Sequence, residues 1–131
     1  MILALKTASN VTELRLFGPE DGQLIAEETW DSGRELADGL LDHLQQLLGK
    51  HDATFADLSG LIIFSGPGSF TSLRIGHTVL NALADSLNIP VVGAQGDDWT
   101  QSGLAELPAA HLGRPALPHY GGDANVTLPK P

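Results

Sequence analysis

The sequence predicts one α/β domain that is built on a mixed five-stranded sheet and followed by an extended C-terminal tail. Three observations predict this architecture. Short gaps separate three strand-like runs at the start of the chain, strands and helices then alternate, and prolines punctuate residues 108–131.

Tight turns are predicted between the first three strands, over residues 2–6, 11–17 and 23–30. The gaps contain Ala8-Ser9-Asn10 and Gly18-Pro19-Glu20-Asp21-Gly22, which are typical turn residues. Gaps this short favour antiparallel pairing, because a parallel return requires a dozen or more residues.

The first helix is predicted to start at Ser32, which forms a capping box with Glu35, and to end at Gly49. Its leucines recur at three- and four-residue spacing, which is typical of an amphipathic helix. Thr54 and Asp57 predict a second, smaller cap before the next strand.

Strand and helix alternate in the second half. We predict buried strands over residues 61–64 and 91–94, a helix over 70–87 and a short helix over 97–107. The order is therefore βββαβαβα, with parallel pairing and right-handed crossovers. This is the layout of an actin-like or ribonuclease H-like domain.

The folded domain is predicted to span residues 1–107. Residues 108–131 contain several prolines and Gly121-Gly122, and we expect them to form an extended tail that packs along the domain surface.

Composition excludes several classes of function. The net charge is −9 and the cations form no cluster, so direct binding of nucleic acid is not expected. The absence of cysteine excludes disulfides and zinc–thiolate sites. No leader and no apolar run of about 18 residues is visible, which predicts a cytoplasmic protein without a membrane span.

The most informative segment lies between a predicted buried strand and the second helix. A glycine-rich loop there exposes backbone N–H groups at the positive end of a helix dipole. It is either a tight structural corner or an anion-binding loop, and it is not a P-loop because it lacks the Gly-Lys-Ser/Thr ending. The residues of this signature loop are Gly66, Pro67, Gly68, Ser69, Phe70, Thr71 and Arg74.

No catalytic residue, metal ligand or cofactor is predicted. The histidines form no His-Glu-x-x-His pattern, and packing is the expected role of His43 and His77 on the two helices. Asp97 and Asp98 are adjacent at a helix start, where Asp is usually a cap.

The run GPGSFTSLRIG, residues 66–76, resembles the GPGSFTGLRIG signature of the TsaB (YeaZ-like) family, with Ser72 in place of a glycine. The start, MILALKTAS, is similar to that family's MILAIDTST. Residues 87–93 match its entry into the last strand. Residues 118–130, from Pro118-His119-Tyr120 through Asn125-Val126 to Lys130, resemble its closing stretch.

The resemblance implies a non-catalytic scaffold subunit in the synthesis of tRNA threonylcarbamoyladenosine, the modified adenosine beside the anticodon. Its partners would be a TsaD-like catalytic subunit and a TsaE-like ATPase, with a homodimer in isolation. Two departures stand out: the chain resembles a short form without the family's second actin-like domain, and Lys6 replaces the aspartate that usually ends the first strand.

By the same resemblance, partner contact uses the two helices of the domain. Some apolar residues of these helices must serve the core, and the pattern alone does not separate the two sets. The residues predicted to contact a partner are Leu40, Leu41, Leu44, Leu48, Leu73, His77, Leu80 and Ala84.

Two alternatives remain open at this point. One is a free-standing homodimeric interaction module of the same fold. The other is a small ATP-binding phosphotransferase or a peptidase-like enzyme, against which Lys6 argues because an ammonium group repels Mg²⁺.

Overall fold

The computed structural model describes residues 1–18 and 22–120. Within them a five-stranded sheet has the order β3-β2-β1-β4-β5. The strands are β1 (Ile2–Lys6), β2 (Val11–Phe17), β3 (Leu24–Asp31), β4 (Gly60–Phe64) and β5 (Val91–Ala94).

The pairing follows from the length of each connection. Strand β1 is antiparallel to β2, and β2 is antiparallel to β3, because short turns join them. Strands β4 and β5 lie parallel to β1 and to each other, because helices connect them. The sheet confirms the predicted ribonuclease H-like, actin-like arrangement. Strand β3 begins and ends one residue later than expected.

The helices are α1 (Leu36–Gly49), α2 (Phe70–Leu87) and α3 (Trp99–Glu106). Alternate sheet residues face opposite sides, so the strands contribute to two cores. Leu3, Leu5 and Ile63 pack against α1 and α2. Ala4, Ile62 and Phe64 pack against Trp99 of α3 on the other side. Within the described residues, no helix is long and apolar enough to cross a membrane.

The capping box predicted at Ser32 and Glu35 is wrong. A short 3₁₀ turn, Gly33–Glu35, precedes α1, and the Ser32 side chain makes no capping bond. Instead Ser32 Oγ donates to Asn10 O at 3.2 Å and lies 2.8 Å from Thr12 Oγ1. The buried hydroxyl therefore ties the entry of α1 to the turn between β1 and β2.

The cap predicted at Thr54 and Asp57 is confirmed, since Thr54 N donates to Asp57 Oδ2 at 2.8 Å. The turn between β2 and β3 closes through a bond of 2.8 Å from Gly18 N to Gln23 O. Residues 19–21 of that predicted turn lie outside the described residues.

We call residues 110–120 the closing segment. It follows the 3₁₀ turn Leu107–Ala109, bonds to Asn81 of α2 and then to Ser65, just after β4. Ala116 exchanges two hydrogen bonds of 2.9 Å with the Asn81 side chain of α2. Residues 121–131, with Gly121-Gly122, Asn125, Val126 and Lys130, lie outside the described residues. The domain boundary after residue 107 stays a prediction.

Candidate functional site

The signature loop joins β4 to α2, as the sequence predicts. Ser69 is the N-cap of α2: its Oγ accepts from Ser72 N at 3.4 Å and its carbonyl accepts from Leu73 N at 2.9 Å. Ser69 N itself donates to Ala8 O at 2.8 Å. Three amides at this helix start are therefore engaged with protein atoms.

Close contacts explain why the signature needs glycine. Gly66 has φ of 121°, and a Cβ there would overlap the carbonyl of His119 in the closing segment. A Cβ at Gly76 would overlap the Thr7 side chain on the adjacent strand end. The loop and the first half of α2 are thus packed against other parts of the chain. This packing favours the structural alternative over the anion-binding one.

Lys6 is partly buried at the end of β1. Its Nζ lies 4.3 Å from the centroid of the Phe64 ring and 3.9 Å from Glu13 Oε2, and its side chain is 30 % exposed. A cation–π contact and an ion pair hold it at the position where the family usually has an aspartate.

Seven of the eight residues predicted to contact a partner lie inside this chain, with exposures of 5 % or less. They pack α1 and α2 against the sheet, which leaves a partner little of their side-chain surface to contact. Direct contact of these seven with a partner stays a prediction, which their burial does not favour. They are Leu40, Leu44, Leu48, Leu73, His77, Leu80 and Ala84. Leu41 is the exception, because half of its side chain, 50 %, is exposed.

An apolar groove lies instead between the outer faces of α1 and α2. Phe70 is its largest exposed ring, at 56 % exposure. We call it the α1–α2 groove, and it is lined by Ala37, Phe70, Thr71, Arg74, Ile75, Thr78 and Val79. Leu41 lies one turn beyond Ala37 on the same helix face.

Sequence reasoning missed four lining residues, which are Ala37, Ile75, Thr78 and Val79. The signal was nevertheless present. Phe70, Arg74 and Thr78 recur every four residues, which places them in one row along the helix. The ladder through Leu73 and Leu80 is more hydrophobic and gives the stronger signal, but it marks the buried side of the helix.

Arg74 brings the one positive charge to this groove. It is exposed, and no ion pair joins it to a carboxylate of residues 1–18 or 22–120.

His77 is buried on the inner side of α2, with 3 % exposure. Its Nδ1–H donates to Leu73 O at 2.8 Å, whereas Nε2 has no hydrogen-bond partner among the described residues. Burial lowers the pKa of His77 below its ordinary value; the bond to Leu73 O opposes this effect, and the nearby His119 adds to it.

His43 lies at the surface between α1 and β3. It stacks on Trp30 with 4.3 Å between ring centroids, and its Nε2 lies 3.5 Å from Glu28 Oε1. Packing accounts for both helix histidines. Among residues 1–18 and 22–120, no three His, Asp or Glu side chains converge as metal ligands do.

Comparisons with known proteins identify the family. A family model described as "TsaD: tRNA N6-adenosine threonylcarbamoyltransferase" matches residues 30–96, just over half of the chain. The tRNA threonylcarbamoyladenosine biosynthesis protein TsaB of Escherichia coli (strain K12) is 30 % identical, over 95 % of this chain and 56 % of that protein. TsaB of Bacillus subtilis (strain 168) is 32 % identical, over 69 % of this chain and 38 % of its own.

A solved structure agrees with these matches. YeaZ from Pseudomonas aeruginosa superposes with a TM-score of 0.64 and 26 % identity, covering 72 % of this chain and 43 % of that one. The chain spans about half the length of the relatives that it matches. The signature loop, the sheet order and these matches agree, and the chain belongs to the TsaB (YeaZ-like) family, among the sequences that the TsaD-type family model describes.

Proposed function

We propose that this chain is a non-catalytic partner subunit of a TsaD-type transferase in the synthesis of tRNA threonylcarbamoyladenosine. Family membership supports the pathway, because the curated relatives carry the name of this biosynthesis. The charge of −9 supports a role through protein contact, since tRNA would be held by another subunit.

The observation that carries the proposal is the α1–α2 groove. It combines exposed apolar side chains with Arg74, a cation that no described carboxylate pairs. By resemblance, the family contacts its partner through these two helices. Burial of Phe70 and Leu41 against a partner removes apolar surface at about 25 cal/mol per Å², which favours association.

We also propose that this subunit catalyses no step of the reaction itself. Lys6 takes the place of the carboxylate that would hold Mg²⁺ in a phosphotransferase relative, and it is held there by Phe64 and Glu13. In the signature loop, the Ser69 hydroxyl serves as a helix cap. The ATP-dependent steps would fall to the TsaD-like subunit and a TsaE-like ATPase.

The test is a binding and reconstitution experiment with the TsaD-type transferase of the same genome. We expect the two chains to co-purify, and threonylcarbamoyladenosine formation in vitro to require this chain. Failure to bind, with no change in modification when the chain is omitted, contradicts the proposal.

A matched pair of variants assigns the binding to the groove. Thr78→Arg places a long cation in the groove, and Thr29→Arg makes the same change on an exposed position of β3. We expect Thr78→Arg to weaken binding at least about tenfold, equivalent to about 1.4 kcal/mol, and Thr29→Arg to leave it unchanged. Equal effects of the two variants would point to another surface.

A further inference from the structure

The closing segment brings an aromatic side chain to the end of the α1–α2 groove. Tyr120 stacks on Phe70, with 4.4 Å between ring centroids and a tilt of 39°. Phe70 itself lines the groove and stays 56 % exposed despite this contact. The two rings therefore form one apolar wall, to which the sequence contributes from positions fifty residues apart.

Several hydrogen bonds hold the closing segment in the position that places Tyr120 on Phe70. Ala116 is 7 % exposed and exchanges both of its backbone bonds with Asn81 of α2. Further along, His119 N donates to Ser65 O at 2.6 Å. The next residue is Tyr120, so its backbone starts from a position set by Ser65, the residue just before the signature loop. An aromatic pair fixed in this way loses little freedom when a partner binds.

We propose that Tyr120, through its stack on Phe70, forms part of the docking face for the TsaD-type subunit. This inference rests on the proposed function and extends it to a segment outside the two helices. The partner's contact would be an apolar helix edge that packs on the two rings and carries a carboxylate opposite Arg74. Aromatic side chains and arginine are the residue types that most often dominate binding energy at interfaces.

Charge favours such a partner over a second copy of this chain. The outer face of α1 carries the exposed Asp38 and Asp42, and the whole chain has a net charge of −9. Two copies that met through this face would bring like charges together. A different protein with a basic rim and one acidic residue at Arg74 avoids that repulsion.

The test compares three variants for binding to the TsaD-type subunit by calorimetry. Tyr120→Ala removes the ring, Tyr120→Phe keeps it, and Leu117→Ala changes a neighbouring side chain that is 68 % exposed. We expect Tyr120→Ala to weaken binding about tenfold, and the other two to stay within about twofold of the unaltered chain.

The outcomes separate this inference from the proposed function. If Thr78→Arg abolishes binding while Tyr120→Ala binds normally, the groove stands and the role of Tyr120 is overturned. If the unaltered chain does not bind the transferase, both fail. If Tyr120→Ala instead dissociates a homodimer, as measured by light scattering, the occupant is a second copy and the inference is wrong.

A second substitution covers loss of folding in Tyr120→Ala. Phe70→Leu keeps an apolar side chain on α2 and removes the ring on which Tyr120 stacks. Circular dichroism and the unfolding midpoint identify the variants that remain folded. Among these we expect Phe70→Leu to weaken binding as Tyr120→Ala does, and unchanged binding by Phe70→Leu overturns the inference.

Discussion

The inner and outer sides of α2 both carry apolar residues but have opposite roles in the structure. On the inner side, Leu73 and Leu80 have no exposed surface and hold the helix on the sheet. On the outer side, Phe70, Arg74 and Thr78 line an open groove. The stronger hydrophobic ladder thus identifies the core, and the weaker, mixed row beside it is the surface available to a partner.

The largest expected effect on stability comes from a substitution on the inner side of α2. Leu80→Ala removes a fully buried side chain from the core between α1, α2 and the sheet, and leaves a cavity. We expect a loss of about 2–5 kcal/mol in the free energy of unfolding. Thr78→Ala, two residues away on the exposed side, is expected to stay within about 0.5 kcal/mol.

Urea unfolding of both variants, followed by circular dichroism, measures this contrast. Similar losses for Leu80→Ala and Thr78→Ala would mean that the two sides of α2 are not divided as described.

The same contrast shows what the sequence could predict. Helix α2 was predicted at its observed bounds, because its period, the preceding glycine-rich loop and Asn88-Ile89-Pro90 all agree. The outer face of α2 was not predicted. The spacing of apolar residues locates an apolar stripe on a helix, but it does not say whether that stripe packs against the sheet or against a partner. That decision depends on the position of α1, which lies far away in sequence.

The capping error at Ser32 has a similar cause. The pair Ser32 and Glu35 fits the local capping pattern. In the fold, however, the Ser32 hydroxyl lies beside Thr12 and Asn10, twenty and twenty-two residues earlier, and bonds to them instead. Thr54 bonds locally to Asp57, and its cap was predicted correctly.

The next effect tests the contact between α2 and β1. Gly76→Ala would drive a Cβ into the Thr7 side chain, so that helix and strand must separate. We expect about 1–3 kcal/mol of destabilisation. Gly49→Ala is the matched control at the end of α1, where nothing lies within 4 Å of the new Cβ.

Because alanine favours helix, Gly49→Ala should be neutral or stabilising by less than about 1 kcal/mol. Thermal unfolding measures both variants. A Gly76→Ala protein as stable as the unaltered chain would contradict the close approach of α2 to β1.

His77 makes the inner side sensitive to pH. Burial lowers its folded-state pKa, so the unfolded chain, with an ordinary value of 6.5, binds the proton first as the pH falls. The linkage therefore favours unfolding, and this contribution reduces stability as the pH drops below 6.5. Above pH 6.5 both states are largely neutral and the contribution vanishes.

The measurement is the free energy of unfolding between pH 7.5 and about pH 5 for the unaltered chain and His77→Gln. We expect a shallower dependence on pH in the variant. His111→Gln, at an exposed position, is the control and should keep the original slope. Identical slopes for His77→Gln and the unaltered chain would mean that His77 has an ordinary pKa.

The smallest expected effect on folding belongs to the outer side, and it sharpens the comparison most. Arg74→Glu reverses an exposed charge that has no described ion pair, so the free energy of unfolding should change by less than about 0.5 kcal/mol. Binding to the TsaD-type subunit should nevertheless weaken about tenfold or more, because like charges then face each other across the interface.

Arg114→Glu makes the same charge reversal at an exposed position of the closing segment and should alter neither binding nor the free energy of unfolding. Calorimetry measures binding and urea unfolding measures stability for the two variants. Lost binding with intact folding in Arg74→Glu would assign the outer row of α2 to partner recognition. A folding defect in Arg74→Glu would contradict this and show that Arg74 contributes to the packing of the domain.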